Sequence, residues 1–435
     1  MPVTKIRSPK RRPRAQPSRA DWFRYYADFS AEFVEDAISH LDLDSNAVLL
    51  DPWLGGGTCA EVAAAKRIRF RGYDINPVML LVSRARTIPT TAAAQIPTLV
   101  NAITRTYHKN VKKPLELTGK VEPLEQWLQP NSACVLRILE RSVETSLCDV
   151  IPQAPLWRRT GQVSPLLAFF YVALFRTFRH FISAYETSNP TWVKIVDDGK
   201  RVQLSEDRIL NRFHREIGYL LESITEATEA MPAISNRTSV IDRASSVELP
   251  LPSNSIDAAV SSPPYCTRID YVRATLPELA VIGHPNGRVI RRLRERMIGT
   301  PTIDQCEEYE SENWGTTCSR FLSAVERHTS KASSTYYLKY YRQYFAAIFA
   351  SLKEIDRVLK PGGKCVLVVQ DSYYKDKKNN LPRMFIEMAA HYQWSLDKKK
   401  PFRMNQTLAG VNPDVKAYRT TFHATEWALL FSKSS

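Results

Sequence analysis

The strongest constraint on the fold is an apolar run that ends in an acidic residue and a glycine-rich turn. Residues 47–58 spell AVLLDPWLGGGT, and the periodicity predicts a helix over about 59–66. A second short strand, RFRGYD, ends at Asp74, and Pro77 is placed to open the next helix. Strand, glycine turn, helix and strand in this order are typical of a doubly wound α/β sheet.

The alternation of strands and helices is then interrupted twice. Residues 87–237 have mostly helical periodicity, most clearly over 164–185 and 208–227. Two short strands follow, in TSVIDRAS and IDAAVSSPPY, separated by a proline-containing turn. A second irregular segment occupies 266–333. The chain is therefore expected to resume one interrupted sheet rather than to start a new domain.

The C-terminal third completes this sheet. A long helix is predicted over about 334–359, and it leads through LKPGG into the apolar strand KCVLVVQ. Two later runs, near Gln393 and over 426–431, are predicted to form an antiparallel pair that closes the sheet. The expected fold is a Rossmann-like, mostly parallel α/β sheet with an antiparallel closing strand and a large helical insertion.

The charge of the chain indicates its partners. The 435 residues include 60 Lys and Arg against 45 Asp and Glu, a net charge of +15, which favours a polyanionic partner. Seven of these cations and no acid lie in residues 1–20, together with several prolines. We expect a disordered basic arm there, which either contacts nucleic-acid phosphates or serves only as a solubilising tail.

Cysteine and apolar content exclude other classes. The seven cysteines are scattered and include no C-x-x-C pair, so neither a disulfide framework nor a zinc site is expected, and no other metal. The apolar stretch over 165–175 is shorter than the ~20 residues of a membrane span and predicts a buried helix. Without an apolar signal core, a cytoplasmic location is expected, nucleoid-associated in a prokaryote, with no membrane contact.

The glycine turn and Asp74 suggest a nucleotide-like ligand. Glycines let backbone approach a ligand closely, although a tight structural turn explains them equally well. A carboxylate at the end of the second strand can accept hydrogen bonds from ribose hydroxyls. Because no Lys follows Gly57, the turn is not a phosphate-binding P-loop.

The sequence Ser262-Pro263-Pro264-Tyr265 ends another strand, at the edge where α/β sheets bind ligands. The two prolines stiffen the backbone and leave carbonyls free to accept hydrogen bonds from an amine. The tyrosine offers a face on which a base can stack. Taken alone, the motif could also be a turn that merely ends a strand.

Together these motifs resemble the amino-group DNA methyltransferases. The resemblance rests on D-P-x-x-G-x-G-T, the acidic end of the second strand, the Asp of VIDRAS, S-P-P-Y and the LKPGG strand. It covers 48–86, 238–275 and 334–371, and it implies methyl transfer from S-adenosylmethionine to cytosine N4 or adenine N6. The sequence departs from the family at Trp53, which replaces the usual Phe, and in the early position of its helical insertion.

The resemblance also assigns residues. Asp51, Gly55, Gly57 and Thr58 would line the methionine part of the cofactor, Asp74 would hold the ribose, and Asp242 the adenine amine. The remaining cofactor candidates are Phe29, Ser30, Pro52 and Ile75. The catalytic candidates, which would form the target-amine pocket, are Ser262, Pro263, Pro264 and Tyr265.

The implied substrate is double-stranded DNA with its target base flipped out, and cytosine N4 is the predicted target because S-P-P-Y more often accompanies cytosine in this family. Open alternatives are adenine N6, an RNA base amine, and an idle nucleic-acid-binding protein. A covalent role for Cys266 is disfavoured, because the carbon-5 cytosine enzymes place a cysteine after proline, whereas Tyr265 precedes Cys266 here.

The residues that recognise DNA are less defined. Candidates are the helical insertion, the arginine cluster over 288–296 and the KKKPFR run, any of which could be only a solvated basic face. The predicted contacts are Arg268, Arg288, Arg291, Arg292, Lys398 and Lys399. Neither the recognition sequence nor a restriction or defence partner can be deduced from these residues.

The predicted organisation is one catalytic domain with two insertions. Residues 1–20 are the basic arm, 21–86 the cofactor half of the methyltransferase domain, and 87–237 the helical insertion. Residues 238–435 form the second part of the domain. This part contains the S-P-P-Y stretch, Ser262 to Tyr265, which is called the catalytic loop below, and a basic insertion over 266–333.

Overall fold

A computed structural model describes residues 6–11, 18–24, 28–44, 46–112, 122–148, 154–187, 193–226, 231–233, 238–303, 312–404 and 424–435. The helices in these residues are α1 (Ala31–Leu41), α2 (Thr58–Ala65), α3 (Pro77–Arg86), α4 (Ile96–Val111), α5 (Pro130–Leu147), α6 (Pro165–Phe181), α7 (Glu206–Thr225), α8 (Tyr271–Ala274), α9 (Leu276–Val281), α10 (Arg288–Glu295), α11 (Thr316–Glu326), α12 (Leu338–Val358) and α13 (Leu381–His391). The strands are β1 (Val48–Asp51), β2 (Arg69–Asp74), β3 (Ser239–Arg243), β4 (Ile256–Ser261), β5 (Leu359–Gln370), β6 (Ser372–Tyr374), β7 (Lys377–Asn379), β8 (Trp394–Met404) and β9 (Ala424–Lys433).

Seven of these strands form one sheet, in the order β3-β2-β1-β4-β5-β9-β8. Strands β1 to β5 are parallel to one another, whereas β9 is antiparallel to both β5 and β8. The predicted mostly parallel α/β sheet with an antiparallel closing pair is thus confirmed. The order changes direction at β1 and β4, so the loops after these strands diverge and leave a crevice at their carboxyl ends.

Local sequence accounts for several element boundaries. Ser30 caps α1, because its hydroxyl accepts the Phe33 amide at 3.2 Å. Asn76 caps α3 in the same way, and Pro77 occupies the first turn, where no amide hydrogen is needed. Helix α3 begins where the sequence predicts. These caps fix the chain direction just before and just after the glycine turn.

Apolar layers cover both faces of the sheet. On one face α1 and α2 pack against side chains such as Leu49 and Phe70. On the other face α11, α12 and α13 bury a second cluster that includes Phe345 and Leu367. The strands β1 and β4 are buried almost throughout, because both faces are covered.

Residues 87–237 contribute the helices α4 to α7, in agreement with the periodicity. Helix α6 packs against α3, α5, α7 and α9, and its side chains from Leu167 to Phe175 are buried. The apolar stretch over 165–175 is therefore a core helix, as predicted. Among the described residues, no helix has the length and apolar character required to cross a membrane.

The expectation of a disordered basic arm is wrong for the described residues 6–11 and 18–20. Ile6 is only 2% exposed, and Arg7 pairs with Asp36 at 2.8 Å. The backbone of residue 10 bridges that of Phe29, and the Arg19 side chain is buried. The segment docks because one apolar side chain and one correctly placed cation find partners that only the folded chain assembles. Residues 1–5 and 12–17 lie outside the described residues.

Other differences concern strand lengths and small elements. Strand β5 begins at Leu359, so LKPGG lies inside the strand rather than before it. The hairpin β6–β7 was not expected, and β8 extends to Met404 and so incorporates the KKKPFR run. The helix predicted over about 334–359 begins with a π-helical turn over Ser333–Tyr337, which is followed by α12.

The docked N-terminal segment yields a stability prediction. Ile6→Ala should lower the free energy of unfolding by about 2 to 5 kcal/mol, because it removes buried methyl groups from a packed cluster. Urea denaturation followed by circular dichroism measures the change. The control is Ile195→Ala, at a side chain that is 54% exposed, and it should change the value by less than ~0.5 kcal/mol. An Ile6→Ala effect as small as the control's would mean that the segment is loose.

Candidate functional site

A cavity opens at the carboxyl ends of β1, β2 and β4, where the sheet order changes direction. Its wall comes from the glycine turn, the end of β2, the loop after β3, the catalytic loop and the segment after α10. The lining residues are Asp28, Phe29, Pro52, Trp53, Leu54, Gly55, Gly56, Thr58, Asp74, Ile75, Ala244, Ser245, Ser246, Ser262, Pro264, Tyr271, Arg296, Met297 and Ile298. Motifs far apart in the sequence therefore meet around one space.

Asp51 lies beneath the glycine turn and is fully buried. One carboxyl oxygen accepts hydrogen bonds from the Ser261 hydroxyl and, at 3.2 Å, from the Trp53 amide. Burial disfavours its charged form and raises the pKa of Asp51 to about 7. The side chain thus supports the turn from below and is not itself part of the cavity wall.

Asp74 ends β2 and does line the cavity. Its two carboxyl oxygens accept the Gly55 amide at 3.0 Å and the Asn76 amide at 2.8 Å. Burial raises the pKa of Asp74 to about 6, although these amide hydrogen bonds oppose the shift. The carboxylate therefore shapes the glycine turn and keeps lone pairs for a ligand.

The glycine turn leaves no room for side chains. Gly57 has φ = +83°, and a Cβ there would lie 2.5 Å from the Ser83 hydroxyl oxygen. A Cβ on Gly56 would lie 2.8 Å from Asp28 Oδ2. The turn also places backbone directly against the cavity, because Gly55 and Gly56 are part of its wall.

A buried ionic network behind the turn was not predicted. Arg86 donates to Asp28 Oδ2 and to Glu61 Oε2, both at 2.8 Å, and to the Gly56 carbonyl. Thr58 donates its hydroxyl to the other oxygen of Asp28. Asp28 lies next to Phe29, which the resemblance assigns to the cofactor site, but no local pattern singles out Arg86.

The catalytic loop follows β4, and its side chains are anchored in different directions. Ser262 donates to the Val368 carbonyl at 3.2 Å, and the Pro264 carbonyl accepts the Tyr344 hydroxyl at 2.9 Å. Tyr265 donates its hydroxyl to Glu426 Oε1 at 2.8 Å. Ser262 and Pro264 line the cavity, whereas Pro263 and Tyr265 lie outside its wall.

Asp242 does not line this cavity. Its side chain faces the helical insertion, since a Cβ added to Gly161 would lie 2.1 Å from Asp242 Oδ1. The cavity wall from this part of the chain is instead Ala244, Ser245 and Ser246. Side chains alternate along a strand, so the residue that faces the cavity depends on where β3 ends.

The other cofactor candidates separate into two groups. Phe29, Pro52, Thr58 and Ile75 line the cavity. Ser30 does not, and its buried side chain instead caps α1 and donates to the Ser8 carbonyl at 3.0 Å. The Cys266 thiol is buried, and burial raises its pKa, which keeps it protonated and unreactive.

The predicted nucleic-acid contacts lie on separate elements. The Arg268 guanidinium stacks over Tyr337, 4.8 Å from its ring centroid. Helix α10 carries Arg288, Arg291 and Arg292 on its exposed side. Lys398 and Lys399 lie on the edge strand β8, and Lys399 lies over Trp427.

The sequence assigned no cavity-lining role to several residues that the structure places at the site. Tyr271 and Arg296 line the cavity, and Asp270 binds Arg294 at 2.7 Å, which ties the catalytic loop region to α10. Arg296 belongs to the basic cluster, but nothing in the sequence indicates that it faces a cavity. Within the described part of the chain, no three His, Cys, Asp or Glu side chains are grouped so as to hold a metal ion.

Comparison with known proteins identifies one curated relative. The type II methyltransferase M.BsoBI of Geobacillus stearothermophilus is 24% identical over 294 residues, which cover 64% of this chain and 55% of that protein. The chain thus spans about half the length of the relative it matches. No protein-family model matches the sequence.

Among solved structures, the rRNA methyltransferase aviRa from Streptomyces viridochromogenes aligns over 93% of this chain and 86% of its own. The identity is 9% and the TM-score is 0.27. A likeness at this TM-score carries no information about the activity of this chain.

The buried Asp51 predicts a pH-dependent stability. Folding raises its pKa from the ordinary 3.8 to about 7, so its stabilising contribution is present at low pH and is lost as pH rises through this window. As pH rises from 3.8 to about 7, the free energy of unfolding of the wild type should therefore fall relative to that of Asp51→Asn. The slope should be at most about 1.4 kcal/mol per pH unit.

Urea denaturation at a series of pH values measures this difference. Asp198→Asn, at a side chain that is 86% exposed, is the control for the loss of a carboxyl group that folding does not bury. A difference for Asp51→Asn that does not change with pH would show that Asp51 is not desolvated as described.

Proposed function

We propose that this protein is an S-adenosylmethionine-dependent methyltransferase that methylates the exocyclic N4 amine of cytosine in DNA, with the target base flipped out of the duplex. The observation that carries the proposal is the convergence of the glycine turn, Asp74 and Ser262 on one cavity. A nucleic-acid-binding protein without activity has no need of a methyl-donor pocket beside an amine-binding loop. The type II methyltransferase relative supports the same class of activity.

The cavity wall fits the chemical groups of the cofactor. Asp74 would accept hydrogen bonds from the ribose hydroxyls, and Ile75 would pack on the adenine ring. The backbone of Gly55 and Gly56 would lie against the methionine part, and a Cβ on Gly56 would lie 2.8 Å from Asp28 Oδ2. When bound, the cofactor supplies an electrophilic methyl group on a sulfonium.

The catalytic loop would prepare the amine to accept that methyl group. An amine conjugated to a pyrimidine ring is a poor nucleophile, because its lone pair is delocalised into the ring. The Ser262 hydroxyl and a proline carbonyl that accept its two hydrogens would draw the nitrogen toward tetrahedral geometry. Most of the acceleration would then come from positioning. Unstacking the base costs a few kcal/mol, which protein contacts must offset.

Basic side chains around the cavity would supply part of that compensation. Helix α10 is linked to the catalytic loop region by the Arg294–Asp270 ion pair, so its exposed arginines Arg288, Arg291 and Arg292 extend from the cavity rim. We propose α10 as a phosphate-binding element and β8, with Lys398 and Lys399, as a second one. Arg268 is a weaker candidate because its guanidinium is already stacked on Tyr337.

Nucleoside analysis tests the activity and its target atom. DNA from a host that overexpresses the protein should contain N4-methylcytosine, and DNA from a host that expresses Ser262→Ala should contain far less, since one preorganised hydrogen-bond partner is lost. Liquid chromatography with mass spectrometry of digested DNA measures both products. N6-methyladenine alone would make the cytosine assignment wrong. Methylated RNA without methylated DNA would make the DNA assignment wrong too.

Calorimetry tests the cofactor site separately. Asp74→Ala should weaken S-adenosylmethionine binding about tenfold or more, because the ribose hydroxyls lose a charged acceptor worth ~1.5 to 3 kcal/mol. Asp74→Asn keeps an acceptor oxygen and should lose less. A wild-type protein that binds no S-adenosylmethionine, with or without DNA, would refute the proposed cofactor.

A further inference from the structure

A buried carboxyl group lies behind the catalytic loop and has no role in the mechanism described above. Glu426, near the start of β9, is 7% exposed. Its Oε1 accepts the Tyr265 hydroxyl at 2.8 Å, whereas its Oε2 is buried without a hydrogen-bond partner among the described residues. A carboxylate in this condition is poorly solvated, which makes it a stronger base than an exposed one.

The surroundings of Glu426 do little to neutralise it. Its cross-strand neighbours are Gln370 on β5 and Phe402 on β8, neither of which is charged. The nearest influential cation is Lys10 of the docked N-terminal segment, which partly offsets the effect of burial. Asp371 at the end of β5 is engaged elsewhere, with the Thr425 amide at 2.9 Å and Lys378 at 3.2 Å. Burial accordingly raises the pKa of Glu426.

Tyr265 connects this carboxyl group to the cavity. Its hydroxyl donates to Glu426 Oε1, and Ser262, three positions earlier in the same loop, lies close enough to influence the phenol. Ser262 itself lines the cavity. Its hydroxyl hydrogen is directed at the Val368 carbonyl, and because hydroxyl hydrogens rotate, this hydrogen can turn toward Tyr265. In that orientation the three side chains connect the cavity wall to the buried carboxyl group.

We propose that Glu426 accepts, through Ser262 and Tyr265, the proton that the target amine loses on methylation. The inference rests on the function proposed above. A carbon–nitrogen bond forms as the methyl group leaves the sulfonium, and the nitrogen becomes positively charged. In the same step, as this charge develops, the nitrogen gives one proton to Ser262, Ser262 passes its own proton to Tyr265, and Tyr265 passes its own to the Glu426 carboxylate. The positive charge of the donor is thus balanced by neutralisation of Glu426.

This assignment supplies a group that can retain the proton, which the catalytic loop lacks. A neutral serine hydroxyl can accept a hydrogen bond from the amine but cannot retain a proton near neutral pH, and neither can a proline carbonyl. Glu426 can, because the uncharged form suits its buried position. Glu426 acts through Tyr265 and does not touch the base, so it is a positioning and proton-accepting residue behind the site.

Single-turnover kinetics test the path. With methyl-labelled S-adenosylmethionine at saturation and unmethylated genomic DNA, Glu426→Gln and Tyr265→Phe should each slow methyl transfer about 10²-fold or more, while cofactor and DNA affinities stay unchanged. The two effects should not add in the double variant, because both break one path. Gln still accepts the Tyr265 hydrogen bond, so a purely structural role for Glu426 would leave the rate of Glu426→Gln near that of the wild type.

The pH profile gives a second readout. The transfer rate of the wild type should fall as pH falls through the raised pKa of Glu426, because the carboxylate is the active form, and this limb should be absent in Glu426→Gln. Asp51 and Asp74 also have raised pKa values, so the limb is assigned by its loss in that variant. Glu326→Gln, at an exposed carboxyl group at the end of α11, is the matched control and should behave as the wild type.

Several outcomes would overturn the inference. A Glu426→Gln or Tyr265→Phe rate within twofold of the wild type would do so, and so would additive effects in the double variant. If Glu426→Gln fails to fold, Tyr265→Phe decides, because it retains the carboxyl group. A wild type that methylates neither DNA nor RNA would refute the proposed function itself, whereas an active wild type with fully active variants would refute only the proton path.

Discussion

The hydrogen bond from Ser261 to Asp51 joins the ends of the two central strands, β1 and β4. Both loops that form the cavity start from this pair, because the glycine turn follows Asp51 and the catalytic loop follows Ser261. Both groups are buried, and burial raises the pKa of Asp51, although this hydrogen bond opposes the shift. A substitution that separates these strand ends would displace both loops at once, so the site depends on a residue that does not line it.

A second constraint acts from behind the glycine turn. Arg86 is buried among Asp28, Glu61 and the Gly56 carbonyl, where each charge is compensated by a partner of opposite sign. Such a network contributes little net stability relative to an apolar core, but loss of one member leaves an uncompensated charge. Here the network fixes the position of Asp28, which lines the cavity and follows the docked N-terminal segment in the sequence.

Local patterns predicted most of the sheet. Apolar runs, the helix cap Ser30, the first-turn proline Pro77 and the turn glycines are properties of neighbouring residues, and the corresponding elements form. Two features depend on more than neighbouring residues: the docking of the described parts of residues 1–20, and the direction of the Asp242 side chain, which does not line the cavity. The direction of a strand side chain depends on where the strand ends, and the docking of Ile6 and Arg7 depends on partners that the folded chain brings together.

The sequence alone determined the parallel sheet and the two motifs at its carboxyl edge, because strand periodicity and glycine turns are set by short-range sterics. Only the tertiary structure decided which side chains face the cavity and which buried groups lie behind them. Glu426 lies 161 positions after Tyr265, yet their side chains share a hydrogen bond. No sequence pattern encodes that contact, since it arises from the antiparallel pairing of β9 with β5 and from the burial that follows.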